Sequence, residues 1–100
     1  MSFEMLIGLL VIDQETYGRY REEIAPLLQS VNGRFRYDVD VARTLKSESG
    51  QDINRLFVLE FPDRAHKERF FEDPKYRDIR ARLFARSVER SEVIAEYTRT

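Results

Sequence analysis

The chain has 100 residues, 42% of them hydrophobic and 35% charged, with a formal net charge of -1. It is long enough for one domain that buries about 65% of the surface its unfolded form exposes, and its charge balance offers nucleic acid and anionic membranes no broad attraction. With no cysteine, disulfides, thiolate metal sites and cysteine nucleophiles are excluded. Met5 to Ile12, "MLIGLLVI", is apolar at both parities, as in a strand covered on its two faces. It follows Glu4 rather than a basic leader and ends in Asp13 without a small-residue cleavage site, so it does not read as a signal peptide. No run approaches the roughly 20 apolar residues of a spanning helix, and a cytoplasmic protein without membrane contact is expected.

Asp13 is suited to cap a helix whose first turn holds Glu15. Tyr17, Tyr20, Ile24, Leu27, Leu28 and Val31 then fall on one stripe at helical period. Pro26, which cannot donate to the carbonyl of Glu22, predicts a bend, and Asn32-Gly33 ends the helix. Phe35, Tyr37, Val39 and Val41 alternate with Arg36, Asp38 and Asp40, the pattern of a half-exposed strand. After the loop "KSESGQD", Arg55 to Phe61 is again apolar at both parities apart from Arg55 and Glu60, and Pro62 closes it. Asp63 caps a second helix to about Glu72, and Asp73-Pro74 restarts it with Tyr76, Ile79, Leu83 and Phe84 as its buried stripe. A last strand spans about Glu92 to Thr98, with Val93, Ala95 and Tyr97 assigned to one side.

The order strand, helix, strand, strand, helix, strand is that of an α+β ferredoxin-like domain, βαββαβ, over residues 1–100. It implies a four-stranded antiparallel sheet in the order 4-1-3-2 with two helices on one face. The two strands that are apolar at both parities are the ones this topology makes central. Helices on one face leave the other bare, and a bare apolar sheet exceeds the patch that monomers tolerate. The economical cover is a second copy of the same sheet, giving a homodimeric α/β barrel. The charges Arg34, Arg36, Asp38 and Asp40 then protect an edge against further pairing.

The stretches "VIDQETYGRYREEIAPLL", "NGRF" and "RLFVLEFPDRAHKERFFEDPKY" resemble the domain-of-unknown-function family 1330, in the dimeric α/β-barrel superfamily. The resemblance covers about Leu9 to Tyr97 and implies a ferredoxin-like protomer. The family commonly has glycines soon after its second strand begins, where this chain has "RYDVDVARTLKSESG". The wider superfamily includes cofactor-free monooxygenases, ring isomerases and haem-degrading enzymes, an analogy at the level of fold only.

The candidate chemistry centres on Glu60, the one carboxylate of an apolar strand. Sharing parity with Leu56 and Val58, it is expected on a covered face, either in a structural network with Arg34, Arg55 or a tyrosine, or desolvated and able to move protons. Tyr20, Tyr37, Phe70 and Tyr76 are expected to line a small-molecule pocket between helices and sheet, with Glu60 as acid or base and Tyr20, which lies in the resembling stretch, as its catalytic companion. Helical spacing also explains Tyr20 and Tyr76 as plain core residues. Any chemistry would be proton transfer or oxygenation of a small organic molecule without cofactor or metal. The alternative is a binding or interaction module with no catalysis.

His66 stands alone among charged neighbours, and Asp38 with Asp40 lacks further ligands, so neither predicts a metal site. RNA-recognition domains share this element order, but "NRLFVLEF" puts Leu56 and Val58 where stacking aromatics belong. The serines lack a histidine partner for a triad, and there is no glycine-rich phosphate loop. Gly8, in mid-strand, marks a close approach by a helix or a ligand.

Overall fold

Parity organises the first strand, β1 (Ser2–Val11). Its odd positions Phe3, Met5, Ile7, Leu9 and Val11 are buried in the core, while the even positions face the other way. The computed structural model describes residues 1–100. Helix α1 (Gln14–Ser30) follows at once. The Asp13 side chain accepts from the Thr16 backbone N–H (3.1 Å) and from the Thr16 hydroxyl (2.7 Å), satisfying a donor that the first turn leaves without a partner. Tyr17, Tyr20, Ile24 and Leu28 bury the expected stripe, and the helix runs through Pro26. Asn32 adopts a left-handed φ of 57°, and Gly33 donates its N–H to the Leu28 carbonyl (2.9 Å), closing the helix end.

Strands β2 (Arg34–Asp40) and β3 (Arg55–Phe61) form the hairpin. The loop between them is tied back to β1. Asn54 donates its backbone N–H to Leu9 and pairs its side-chain amide with both backbone groups of Val11, each bond 2.8 Å long. From this loop Ile53 reaches over Gly8, where an added Cβ would meet its side chain at 3.1 Å. The close approach expected at Gly8 therefore comes from the hairpin loop.

Helix α2 (Arg64–Glu72) is capped by Asp63, which accepts from the His66 N–H at 2.9 Å, and α3 (Pro74–Ile79) by Asp73, which accepts from Lys75 at 2.8 Å. The helical path then widens through a π turn, Arg80–Phe84, where the Ala85 N–H donates to the Arg80 carbonyl five residues back. A last helical turn, Ala85–Ser87, leads into β4 (Val88–Arg99). The sheet is antiparallel with the order β2-β3-β1-β4, the expected order read from the opposite edge. No helix is long and apolar enough to cross a membrane.

Two bulges correct the expected faces. Opposite β3, Phe35 pairs with Leu59 but Tyr37 pairs with Val58, so Arg36 is the extra residue. Phe35 packs toward the helices, whereas Tyr37 and Val39 stand on the open face. Opposite β1, Ala95 pairs with Leu6 but Val93 with Ile7, so Ile94 is extra and Val93 faces the helices while Ala95 and Tyr97 do not. An inserted residue breaks the period-2 count, which is why simple alternation misassigns both strands.

Candidate functional site

Between the helices and the sheet lies a cavity of about 180 Å³, lined by twelve residues of which ten are hydrophobic. Its floor is the odd side of β1 with Phe57 and Leu59 of β3, and its roof is Tyr20, Tyr76 and Phe84. The exposed lining residues Arg80, Ser91 and Val93 mark its mouth beside the β4 edge. The π turn supplies both Arg80 and Phe84. Their side chains stack, with the guanidinium carbon 4.7 Å from the ring centroid, and the Tyr20 ring lies 5.0 Å from that of Phe84.

The polar feature of the roof is a pair of phenols. The hydroxyls of Tyr20 and Tyr76, 6% and 4% exposed as residues, lie 3.0 Å apart and bond to each other. Two hydroxyls carry two hydrogens, and one mutual bond uses only one of them. The second has no acceptor within the chain. Burial raises the Tyr20 pKa, the neighbouring Tyr76 hydroxyl raises it further, and the Arg80 charge opposes the shift. Tyr20 is therefore a neutral donor near pH 7.

The remaining expected site residues are elsewhere. Phe70 is buried behind Tyr76, centroids 4.6 Å apart, and Phe71 takes its place in the cavity wall. Tyr37 is 61% exposed on the open face. Glu60 is also on that face, because Phe57, Leu59 and Phe61 are the β3 residues that meet the helices. It pairs across the ladder with Glu4, and two like charges in direct opposition repel. Arginines offset this. Arg99 donates to Glu4 (2.7 Å) and to Glu60 (2.9 Å), Arg34 donates to Glu60, and Arg36 lies 3.2 Å from Glu4. The Tyr97 hydroxyl also donates to Glu4 (2.8 Å), a residue with no exposed surface. Arg34 first, then Arg99, hold the Glu60 carboxyl down at about 2. It is an ionised member of a latch across all four strands, not an acid or base facing the helix-side cavity.

The DUF1330 model, described as a domain of unknown function, matches residues 5–97. The chain belongs to the DUF1330 family. No curated protein matches it in sequence. Among solved structures, it is similar to a protein of unknown function from Rhodopseudomonas palustris, with 19% identity, a TM-score of 0.82, and coverage of 99% of this chain and 82% of that one. A dabb family protein with a ferredoxin-like fold from Mesorhizobium loti has 15% identity and a TM-score of 0.69 over 99% of this chain and 97% of its own. A dimeric protein of unknown function and ferredoxin-like fold from Bacteroides fragilis has 13% identity and a TM-score of 0.62 over 98% and 96%. At these identities the likeness is one of fold. It agrees with the ferredoxin-like reading of this DUF1330 chain.

Sequence reasoning missed Arg80, Phe71 and Val93 at the cavity and Glu4 in the latch. Glu4 was legible in principle. With β1 starting at Ser2 rather than Met5, it becomes a carboxylate inside an apolar strand on the same parity as Leu6.

Proposed function

We propose that this DUF1330 protein binds a small, largely apolar organic molecule in the cavity between helices and sheet. The observation that carries the reading is the Tyr20–Tyr76 pair, which leaves one phenolic hydrogen free inside an otherwise apolar wall. A buried donor without an acceptor costs about 1–3 kcal/mol, and a ligand oxygen removes that cost. A cavity of about 180 Å³ suits a single ring, since an apolar cavity of about 150 Å³ takes up benzene. No carboxylate lines it. The geometry therefore favours binding, with a hydrogen bond that polarises a carbonyl or hydroxyl oxygen, over proton transfer driven by an acid such as Glu60.

Calorimetric titration with benzyl alcohol and with toluene tests this. One saturable site per protomer is expected, with toluene bound more weakly and the difference lost in Tyr20→Phe/Tyr76→Phe, since either hydroxyl left alone still carries an unshared hydrogen. Val93→Trp, at the exposed mouth, should block uptake while leaving the circular dichroism spectrum unchanged. No saturable binding of either probe, or full uptake by Val93→Trp, would contradict the reading.

A second reading concerns assembly. The open face carries exposed Tyr37, Val39 and Ile94 next to half-buried Leu6, Leu56 and Val58, and the Bacteroides fragilis neighbour is described as dimeric. We infer that a second copy covers this face, on the side of the sheet opposite the cavity.

A further inference from the structure

The cavity mouth carries one cation, Arg80, and nothing in the chain neutralises it. Arg80 enters no ion pair, whereas Arg82, two residues on, pairs with both Asp78 and Glu23, each at 2.9 Å. Arg80 instead lies over the Phe84 ring at 4.7 Å, held by an aromatic face that leaves its N–H fork unused. The same ring adjoins Tyr20, centroids 5.0 Å apart, so the guanidinium and the phenol pair belong to one wall. Behind them the lining is apolar, from Ile7 and Leu9 to Phe57 and Leu59.

An apolar interior with a cation at its mouth selects against two kinds of guest. A hydrocarbon leaves the guanidinium unused, and a multiply charged, strongly hydrated anion cannot enter the interior without a large desolvation cost. A singly charged head on an apolar body satisfies both. The planar fork of arginine matches a carboxylate, to which it makes two parallel hydrogen bonds.

Resting on the reading that the cavity takes up a small organic molecule, we infer that its ligand is a monocarboxylate, with a ring-sized apolar body among Ile7, Leu9, Phe57 and Leu59 and its carboxylate on Arg80. The phenolic hydrogen left over by Tyr20 and Tyr76 serves an oxygen of the same ligand. Arg80 is a specificity residue in this account. Being exposed and outside every ion pair, it is replaceable without loss of the fold.

Titrations at pH 7 with benzoate, benzyl alcohol and acetate, on the wild type and on Arg80→Gln and Arg80→Lys, test the inference. Benzoate should bind the wild type severalfold tighter than benzyl alcohol, up to about fivefold, the scale of an ion pair at an exposed arginine. Arg80→Gln should weaken benzoate more than benzyl alcohol and so abolish that preference, Arg80→Lys should retain part of it, and acetate should bind weakly throughout. Equal binding of benzoate and benzyl alcohol by the wild type, or an undiminished preference in Arg80→Gln, overturns the carboxylate inference and leaves the cavity reading standing. Acetate binding as tightly as benzoate also overturns it, because the apolar body would then contribute nothing. Failure of both ring probes overturns the two together.

Discussion

Glu4 and Glu60 stand directly opposite each other on β1 and β3, and the guanidinium of Arg99 donates to both carboxylates. The two acids are not equivalent. The Glu4 side chain is 1% exposed and receives bonds from Arg99 and Tyr97, whereas that of Glu60 is 13% exposed and one of its partners, Arg34, is 62% exposed. Glu4→Gln should therefore cost about 2 kcal/mol, the worth of a buried bond to a charged group, and Glu60→Gln less than about 1 kcal/mol, as for an exposed ion pair. Urea midpoints of the two variants check the ordering. Equal losses would mean that the latch does not distinguish its buried acid from its rim.

The same latch sets an acid limit. The Glu60 carboxyl falls from an ordinary 4.5 to about 2 in the folded chain because Arg34 and Arg99 favour its ionised form. A depressed folded value contributes stability that is complete above the unfolded value and is lost as pH falls from about 4.5 toward 2. Asp38, lowered by Arg55 and Arg21, adds to the same limb. Denaturation midpoints should drop between pH 5 and 3, in the range where carboxylates titrate, and drop less in Glu60→Gln. An identical pH dependence in that variant would remove Glu60 from the account.

Two glycines separate a rigid contact from a yielding one. A Cβ at Gly33 would lie 2.6 Å from Leu28 Cδ1 and 3.0 Å from the Phe61 ring, inside the core. At Gly8 its tightest contact would be the Ile53 side chain of the hairpin loop, at 3.1 Å, with the Ile94 side chain of β4 at an ordinary 3.4 Å. Gly33→Ala should cost about 1–3 kcal/mol, as overpacked cores do, and Gly8→Ala less, because the loop shifts. Thermal midpoints of the two variants report the difference.

The open face makes a prediction about mass. Light scattering at micromolar concentration should give twice the chain mass for the wild type and a single-chain mass for Tyr37→Lys/Val39→Lys. Both positions are exposed, so the pair should fold normally. A wild-type particle of one chain would leave this sheet face without the partner inferred for it.

Much of the architecture was legible because caps and stripes are local. Asp13, Asn32-Gly33, Asp63 and Asp73-Pro74 delimit their helices where the sequence places them, and strand order follows from the succession of elements. Faces were less legible. In β3 both parities are apolar, so the pattern does not say which side meets the helices, and the Glu60 parity turns out to be the open face. In β2 and β4 the bulges at Arg36 and Ile94 shift the count by one without any glycine or proline to announce them. The phenol pair joins positions 56 residues apart, a distance over which neither residue's local sequence specifies the other. Tyr20 and Tyr76 were each identified by helical spacing, but their contact is a product of packing.

The most direct test of the account is a methyl-resolved NMR titration of the protein with benzoate. Ile7, Leu9, Leu59 and Val93, which line the cavity, should shift together along one saturating curve, while Leu6, Val39 and Val58 on the open face stay fixed. Shifts confined to the open-face methyls, or no saturable shift at any of them, would contradict a binding site between helices and sheet.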